Sequence, residues 1–379
     1  MANARGAGYN LMIDAEDGQQ HMRMAEQFKI QEIADRVYSG ERLSFDDGLQ
    51  LYRHADISQL GEMADWMRRH KHPEAIVTYV VGRNINYTNV CWVRCDFCAF
   101  YRPPGSEEGY VLSREVIFDK IREMVAADGT EILIQGGLNP KLKIDYYEDL
   151  FRSIKQNFKV HIHGLSPTEI LYIAHISRLT VPEAISRLRA AGLDTIPGAG
   201  GEILSDEVRK QIAPLKETSD EWLGVMRDAH VLGMRTTATM MYGSVDRIEH
   251  RLEHLMRVRD LQDATGGFTA FIAWNFQPGG TALGGIKTGG DEYLRMISLC
   301  RILLDNIDNL QASWVTQGAH VARISLRHGV NDFGSTMFEE NVVKAAGTAF
   351  YMDEAEVRRQ IASAGFTPRR RNTYYEFAD

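Results

Sequence analysis

The sequence predicts a (β/α)8 barrel of the TIM type, an α/β fold with a small helical N-terminal extension and C-terminal helices. Three observations carry the prediction. From residue 75 onward, strand-like runs alternate with helical stretches in eight units, and that alternation builds a parallel sheet closed into a barrel. Some runs, such as Ile132-Leu133-Ile134, are apolar without interruption, as strands buried on both faces are. The length of 379 residues suits a barrel of ~250 residues with additions.

Residues 1–20 are polar and glycine-rich and are expected to pack loosely. From Met22 to about His70 the period is helical. Ile30, Ile33 and Val37 recur at spacings of three and four, and Asp46-Asp47 and Asp56-Ile57-Ser58 mark helix entries. Ala75–Tyr87, rich in β-branched and aromatic residues, is the first strand. A helix near Ser113–Asp128, with Ser113 as its N-cap, leads to the strand Glu131–Gln135. A helix near Tyr146–Gln156 leads to the strand Lys159–His163. Pro167–Ala191 is helical in two pieces, because Pro182 suits a second helix start. Asp194–Pro197 is a short strand, followed by helices over Ser205–Ile212 and Ser219–Leu232. Next come the strand Arg235–Tyr242, the helix Asp246–Asp263, the strand Phe268–Asn275 and the helix Glu292–Asp305. Gln311–Val315 is read as a strand and Gly318–His328 as a helix ended by Gly329. Asn331–Met337 is the eighth strand, and helices near Glu340–Ala346 and Asp353–Ala364 close the chain. The expected division is 1–74 as extension, 75–338 as barrel and 339–379 as a C-terminal helical segment packed on it.

Charge and composition narrow the function. The formal net charge is −8, which argues against a nucleic-acid binder held by phosphate contacts. The run Arg369-Arg370-Arg371 reads as a solvated tail. No apolar stretch reaches the ~20 residues of a membrane helix, and the first residues lack the apolar core of a signal peptide. A cytoplasmic protein without a membrane span is expected. Three of the four cysteines fall within eight residues, a poor disulfide framework that reads as metal-binding or redox-active in a reducing compartment. Cys300, on an apolar helical stretch, reads as a buried core thiol.

The three cysteines, Cys91, Cys95 and Cys98, follow the pattern C-x3-C-x2-C. Thiolates suit iron–sulfur clusters and zinc. Structural zinc usually takes four ligands in paired knuckles, and no second pair exists here, although His161 or His163 could complete a site. A cubane held by three cysteines keeps one iron free of protein ligands, open to bind and reduce something. The other chemistry-bearing residues fall where barrel enzymes place theirs, at the carboxyl ends of strands. The cysteines follow strand one, and Gln135-Gly136-Gly137 follows strand two. His163 ends strand three, with His161 on the same face by alternation. Gly198-Ala199-Gly200-Gly201-Glu202 follows strand four. Two glycines let the backbone approach a ligand closely. A plain turn is the alternative for Gly136-Gly137, and a helix-start carboxylate the alternative for Glu202. Lys216 reads as a solvated lysine, with a bound carboxylate as its alternative partner.

With Phe97 just before its last cysteine, the C-x3-C-x2-C motif resembles the radical S-adenosylmethionine enzymes. Further stretches resemble the menaquinone and deazaflavin branch of that family, from about residue 25 to the carboxyl end. They include Ile85-Asn86-Tyr87-Thr88-Asn89-Val90-Cys91, Gln135-Gly136-Gly137-Leu138-Asn139-Pro140 and His161-Ile162-His163-Gly164-Leu165-Ser166-Pro167. The segment from Arg327 to Val343, with Asn331-Asp332-Phe333-Gly334-Ser335-Thr336 inside it, weighs toward the futalosine cyclases of that branch. Trp92 departs from the pattern, being bulkier than the small aliphatic residue expected after the first cysteine.

The resemblance implies the following. Cys91, Cys95 and Cys98 hold a 4Fe–4S cluster, whose open iron binds S-adenosyl-L-methionine. Phe97, Gln135, Gly136, Gly137 and Glu202 surround that cofactor. One electron cleaves the sulfonium to a 5′-deoxyadenosyl radical, which abstracts hydrogen from a nucleoside-derived small molecule. For a cyclase, the ribose C4′ radical adds to a carboxyphenyl ring, and loss of an electron and a proton restores aromaticity. His163 or Asp332 would take the proton, and Arg83 or Arg102 would meet the benzoate. An electron donor such as a flavodoxin or ferredoxin is the implied protein partner. Sister enzymes, an aminofutalosine synthase or a deazaflavin synthase subunit, would share cluster and barrel. An iron–sulfur electron carrier and a zinc scaffold are the readings from other classes.

Overall fold

The computed structural model describes residues 26–348 and 350–378. The expectation for residues 1–20 and the first part of the Met22–His70 expectation lie outside them. Ten parallel strands form one sheet: β1 (Ile76–Val80), β2 (Gly82–Asn86), β3 (Glu131–Gln135), β4 (His161–Gly164), β5 (Thr195–Ile196), β6 (Arg235–Tyr242), β7 (Phe268–Asn275), β8 (Asn309–Gln311), β9 (Asp332–Ser335) and β10 (Thr367–Arg370). Their order is β10-β1-β9-β8-β7-β6-β5-β4-β3-β2. β1 and β2 are two halves of one extended stretch, parted only at Val81. β1 pairs with β9, β2 pairs with β3, and Phe338 N–H donates to Gly82 O, so the two ends of the sheet meet. The ring positions are therefore β1–β2 and β3 through β9, the eight of a (β/α)8 barrel.

Most strands read from the sequence recur with small shifts at their ends, the clearest being apolar runs such as β3 and β7. Ile132, Ile134, Ile162 and Ile196 are fully buried beneath the surrounding helices. Helix starts follow their caps. Ser113 caps Arg114–Ala126, and Ser166 with Glu169 forms a reciprocal capping box on Pro167–Ser177. Thr180 caps Val181–Ala191, with Pro182 in its first turn as expected. Cys300 is fully buried.

The structure corrects the reading in three places. The expected strand Gln311–Val315 is instead the end of β8 and the start of a helix, Trp314–Ser325. The chain leaves the sheet at Ala312, and the Trp314 indole N–H donates to Ser335 O. That helix is broken at Gly318, whose φ of 78° no β-branched residue would adopt. The tenth strand was not expected. β10 lies on the edge of β1 opposite β9, and with it the carboxyl terminus enters the floor of the barrel. The arginine run is accordingly not a solvated tail, because Arg371 is 4% exposed.

The helices Phe45–His54 and Ile57–Lys71 pack on Gly290–Leu303 at the barrel's outer surface. Among the described residues no helix is long and apolar enough to cross a membrane.

Candidate active site

The cysteine loop leaves β2 at the carboxyl end of the barrel and is pinned from three directions. Cys91 N–H donates to Arg102 O at 2.9 Å, Asp96 N–H to Ile212 O at 2.9 Å, and Leu283 N–H to Asp96 O at 2.8 Å. Arg94 takes a left-handed φ of 55°, a local strain held by this loop. Cys91, Cys95 and Cys98 all line one cavity of about 430 Å³ that runs down the barrel axis. Burial pushes the Cys95 and Cys98 thiols up. The Lys216 ammonium opposes this at Cys95, and the backbone N–H groups of Tyr101 and Phe100, aimed at the sulfur, oppose it at Cys98.

The net direction favours the neutral thiol, and Lys216 with these two N–H groups are the neighbours that would favour a thiolate there. Among the described residues no three His, Cys, Asp or Glu side chains converge on a single ion, as a zinc site would require. A cubane places each thiolate on its own iron, so three cysteines lining one cavity fit it.

The glycine turn after β3 supports the cysteine loop. A Cβ on Gly137 would overlap Val90 O and lie 2.9 Å from Cys91 Cβ, and one on Gly136 would meet the Tyr87 ring at 2.8 Å. Close packing against Tyr87, Val90 and Cys91 therefore requires both glycines, beside the approach of a ligand that the sequence suggests. Gly136 N–H donates to Glu169 Oε1 at 3.0 Å and Gly137 N–H to Thr88 O at 2.9 Å. With both N–H groups used, the turn can offer a ligand carbonyl acceptors, which suit an amine.

Glu169 was missed. The capping-box spacing from Ser166 was the available signal. Its buried carboxyl also accepts from Tyr87 O–H at 2.8 Å and from Ser166, and burial pushes it up to about 7.

Glu202 and Lys216 face the same cavity, with Phe97 beside them. Glu202 Oε1 accepts from Lys216 Nζ at 2.7 Å, and the ammonium lies 5.5 Å from the Phe97 ring centre. Lys216 is buried, contrary to its reading as a solvated lysine. Glu202 Oε2 is buried without a partner among the described residues. A buried unpaired carboxylate oxygen is costly unless something donates to it, and an amine or ribose hydroxyl would. Gln135 lines the cavity between the glycine turn and the floor.

His163 lies deeper. Its Nδ1 is 2.7 Å from Thr195 Oγ1, and burial next to Arg371 lowers it to about 3, so the ring is neutral at pH 7. Asp332 is not brought to the mouth. It is the first residue of β9, at the barrel floor, where Arg371 Nε and Nη2 grip it at 2.6 and 3.0 Å. Thr78 Oγ1 donates to it at 2.6 Å and Gly334 N–H at 3.0 Å. A carboxylate with these donors has no free position for a substrate proton, which corrects the sequence's choice of Asp332 as a base. Arg83 and Arg102 are engaged as well, by Glu123 and Glu339 and by Glu108. Trp92, 36% exposed, packs on Tyr172 with ring centres 5.7 Å apart.

Residues 85–258 match the radical SAM superfamily, and residues 265–379 match the CofH/MqnC C-terminal region. The cyclic dehypoxanthine futalosine synthase of Halalkalibacterium halodurans is 48% identical over 91% of this chain and 94% of its own. The protein of that name from Streptomyces coelicolor is 44% identical over 93% of this chain and 90% of its own. Among solved structures, methylornithine synthase superposes with a TM-score of 0.71 over 89% of this chain and 97% of its own, at 18% identity, a likeness of fold.

Proposed function

The chain belongs to the radical S-adenosylmethionine family, and on that premise we propose that it converts dehypoxanthine futalosine to cyclic dehypoxanthine futalosine on the futalosine route to menaquinone. The observation that carries the reading is a single chamber, lined by three cysteines and with a floor sealed by the chain's own carboxyl terminus. When bound, a 4Fe–4S cluster and S-adenosylmethionine supply one-electron cleavage of a sulfonium and so the means to abstract a hydrogen atom. The rest of the change is the substrate's. Its ribose C4′ gives up a hydrogen atom, that carbon joins the carboxyphenyl ring, and one electron and one proton leave to restore aromaticity.

The chain's residues divide this work. Cys91, Cys95 and Cys98 hold the cluster. The carbonyls of Gly136 and Gly137 and the unpartnered Glu202 oxygen accept from the amine and ribose of the cofactor, with Lys216 fixing the carboxylate and Phe97 flanking it. Gln135, with a neutral amide, faces the space between cofactor and floor and orients the substrate. Holding C4′ against the ring is an orientation effect, and the narrow barrel supplies it. Arg371, Thr373 and Tyr375 close the lower end against water. His163, neutral and at the cavity wall, takes the proton. The electron donor is a reduced flavodoxin- or ferredoxin-class protein.

The test is anaerobic turnover of the reconstituted protein with both small molecules. Release of 5′-deoxyadenosine with a cyclised product supports the reading. A product that retains the adenosyl group would point to a sister synthase, and absence of both products would end the proposal.

A further inference from the structure

Thr195 lies between two imidazoles. Its Oγ1 is 2.7 Å from Nδ1 of His163 and 2.8 Å from Nε2 of His161. His163 lines the central cavity. His161, at the first position of β4, borders a separate surface depression at the amino-terminal face, with Asp194 and Lys155. The alternation of a strand puts both rings on one side, and β5 supplies the hydroxyl that joins them. Among the described residues nothing pairs with His163 Nε2, the nitrogen left for the cavity, or with His161 Nδ1, the nitrogen left for the depression. A hydroxyl both donates and accepts, so the three groups form one unbroken hydrogen-bonded chain from chamber to solvent.

We propose that Thr195 and His161 carry the proton released on ring closure away from His163 and out through the floor of the barrel. The inference rests on the cyclase reading. The substrate proton bonds to His163 Nε2. The proton on His163 Nδ1 passes to Thr195 Oγ1, the hydroxyl proton passes to His161 Nε2, and His161 releases its Nδ1 proton to water. The electron leaves separately, to a one-electron acceptor of the iron–sulfur class. One proton enters and one leaves, and no group on the path needs to stay charged.

The surroundings favour this neutral relay. Burial lowers His161 to about 4, against the carboxylates of Asp194 and Glu131, with Lys155 and His163 also facing it, and burial with Arg371 holds His163 lower still. Both imidazoles therefore stay uncharged across the working pH range, each able to accept at one nitrogen while giving at the other. At the floor, Asp332 is gripped by Arg371, and Glu131 accepts from Thr373.

The experiment counts cyclised product per 5′-deoxyadenosine in the reconstituted full-length protein. In Thr195→Val, which keeps the shape and removes the hydroxyl, the ratio falls at least about tenfold while 5′-deoxyadenosine still forms. Thr195→Ser restores it to within about threefold of the wild type, since the hydroxyl returns. His161→Asn, at the half-buried outer end, shows the same loss, and added imidazole recovers it. That recovery would not follow from a structural role, and this variant decides the matter should Thr195→Val fail to fold. Ratios within about twofold of wild type in the folded variants would overturn the relay. Wild-type protein that makes no cyclised product would instead overturn the functional reading.

Discussion

Replacing Arg371 with leucine leaves Asp332 charged, buried and without its cation. The pair is among the most enclosed in the molecule, with side-chain exposures of 4% and 0%. Breaking a buried ion pair from one side costs about 3–5 kcal/mol. Thr78 Oγ1 and Gly334 N–H continue to donate to the carboxylate, which places the cost at the lower end, about 3 kcal/mol. Adding Asp332→Asn removes the stranded charge, and the double variant should recover about 2 kcal/mol of that loss. Urea unfolding followed by circular dichroism measures both, provided the denaturant slope is unchanged. An Arg371→Leu cost below about 1 kcal/mol, or a double variant no better than the single one, would refute a floor held together by this pair.

Three further outcomes follow from the same geometry. Gly137→Ala forces a Cβ against Val90 O and Cys91, so iron bound per chain after reconstitution should fall to less than about half, and an unchanged iron content would show that the loop can shift. Lys216→Met strands Glu202 in the cavity wall, and the dissociation constant for S-adenosylmethionine, read by calorimetry on the cluster-loaded protein, should rise roughly tenfold or more. An unchanged constant would remove the pair from the cofactor's surroundings. Glu169 supplies a pH dependence. Its folded value is raised to about 7, so its contribution to stability is present below the unfolded value near 4.5 and is lost as pH rises through 7, by roughly 3 kcal/mol in all. Glu169→Gln cannot titrate. The variant should therefore be more destabilised relative to wild type at pH 5 than at pH 8, and a difference independent of pH would contradict the assignment.

The parts of the fold legible in the sequence are those fixed by near neighbours. The β3 run Glu131–Gln135, the Ser113 cap and the helix start at Pro182 are local signals, and the structure follows them. The cysteine spacing is equally local. His161 and His163 were placed on one face by alternation alone, and they share one hydroxyl.

What stayed hidden depends on residues far apart. Arg371 reads as solvent-exposed because arginine runs usually are, and its partner lies 39 positions away. Lys216 reads as exposed for the same reason, since only the folded loop brings Glu202 and the Phe97 ring to it. Asp332 drew attention through its motif, but its position at the start of β9 sends it to the floor. The two turn glycines have a second reason to be glycine beside the ligand approach read from the sequence. The neighbour that needs their missing side chains is the cysteine loop, a contact that no sequence pattern displays.

In this chamber, hydrogen leaves C4′ of the substrate's ribose and that carbon closes onto the aryl ring. Substrate deuterated at C4′ tests it directly, under anaerobic turnover with unlabelled S-adenosylmethionine. The account predicts one deuterium in the released 5′-deoxyadenosine and none at that position in a cyclised product. Unlabelled 5′-deoxyadenosine alongside a cyclised product, or deuterium kept at C4′ in an adenosylated one, would contradict it.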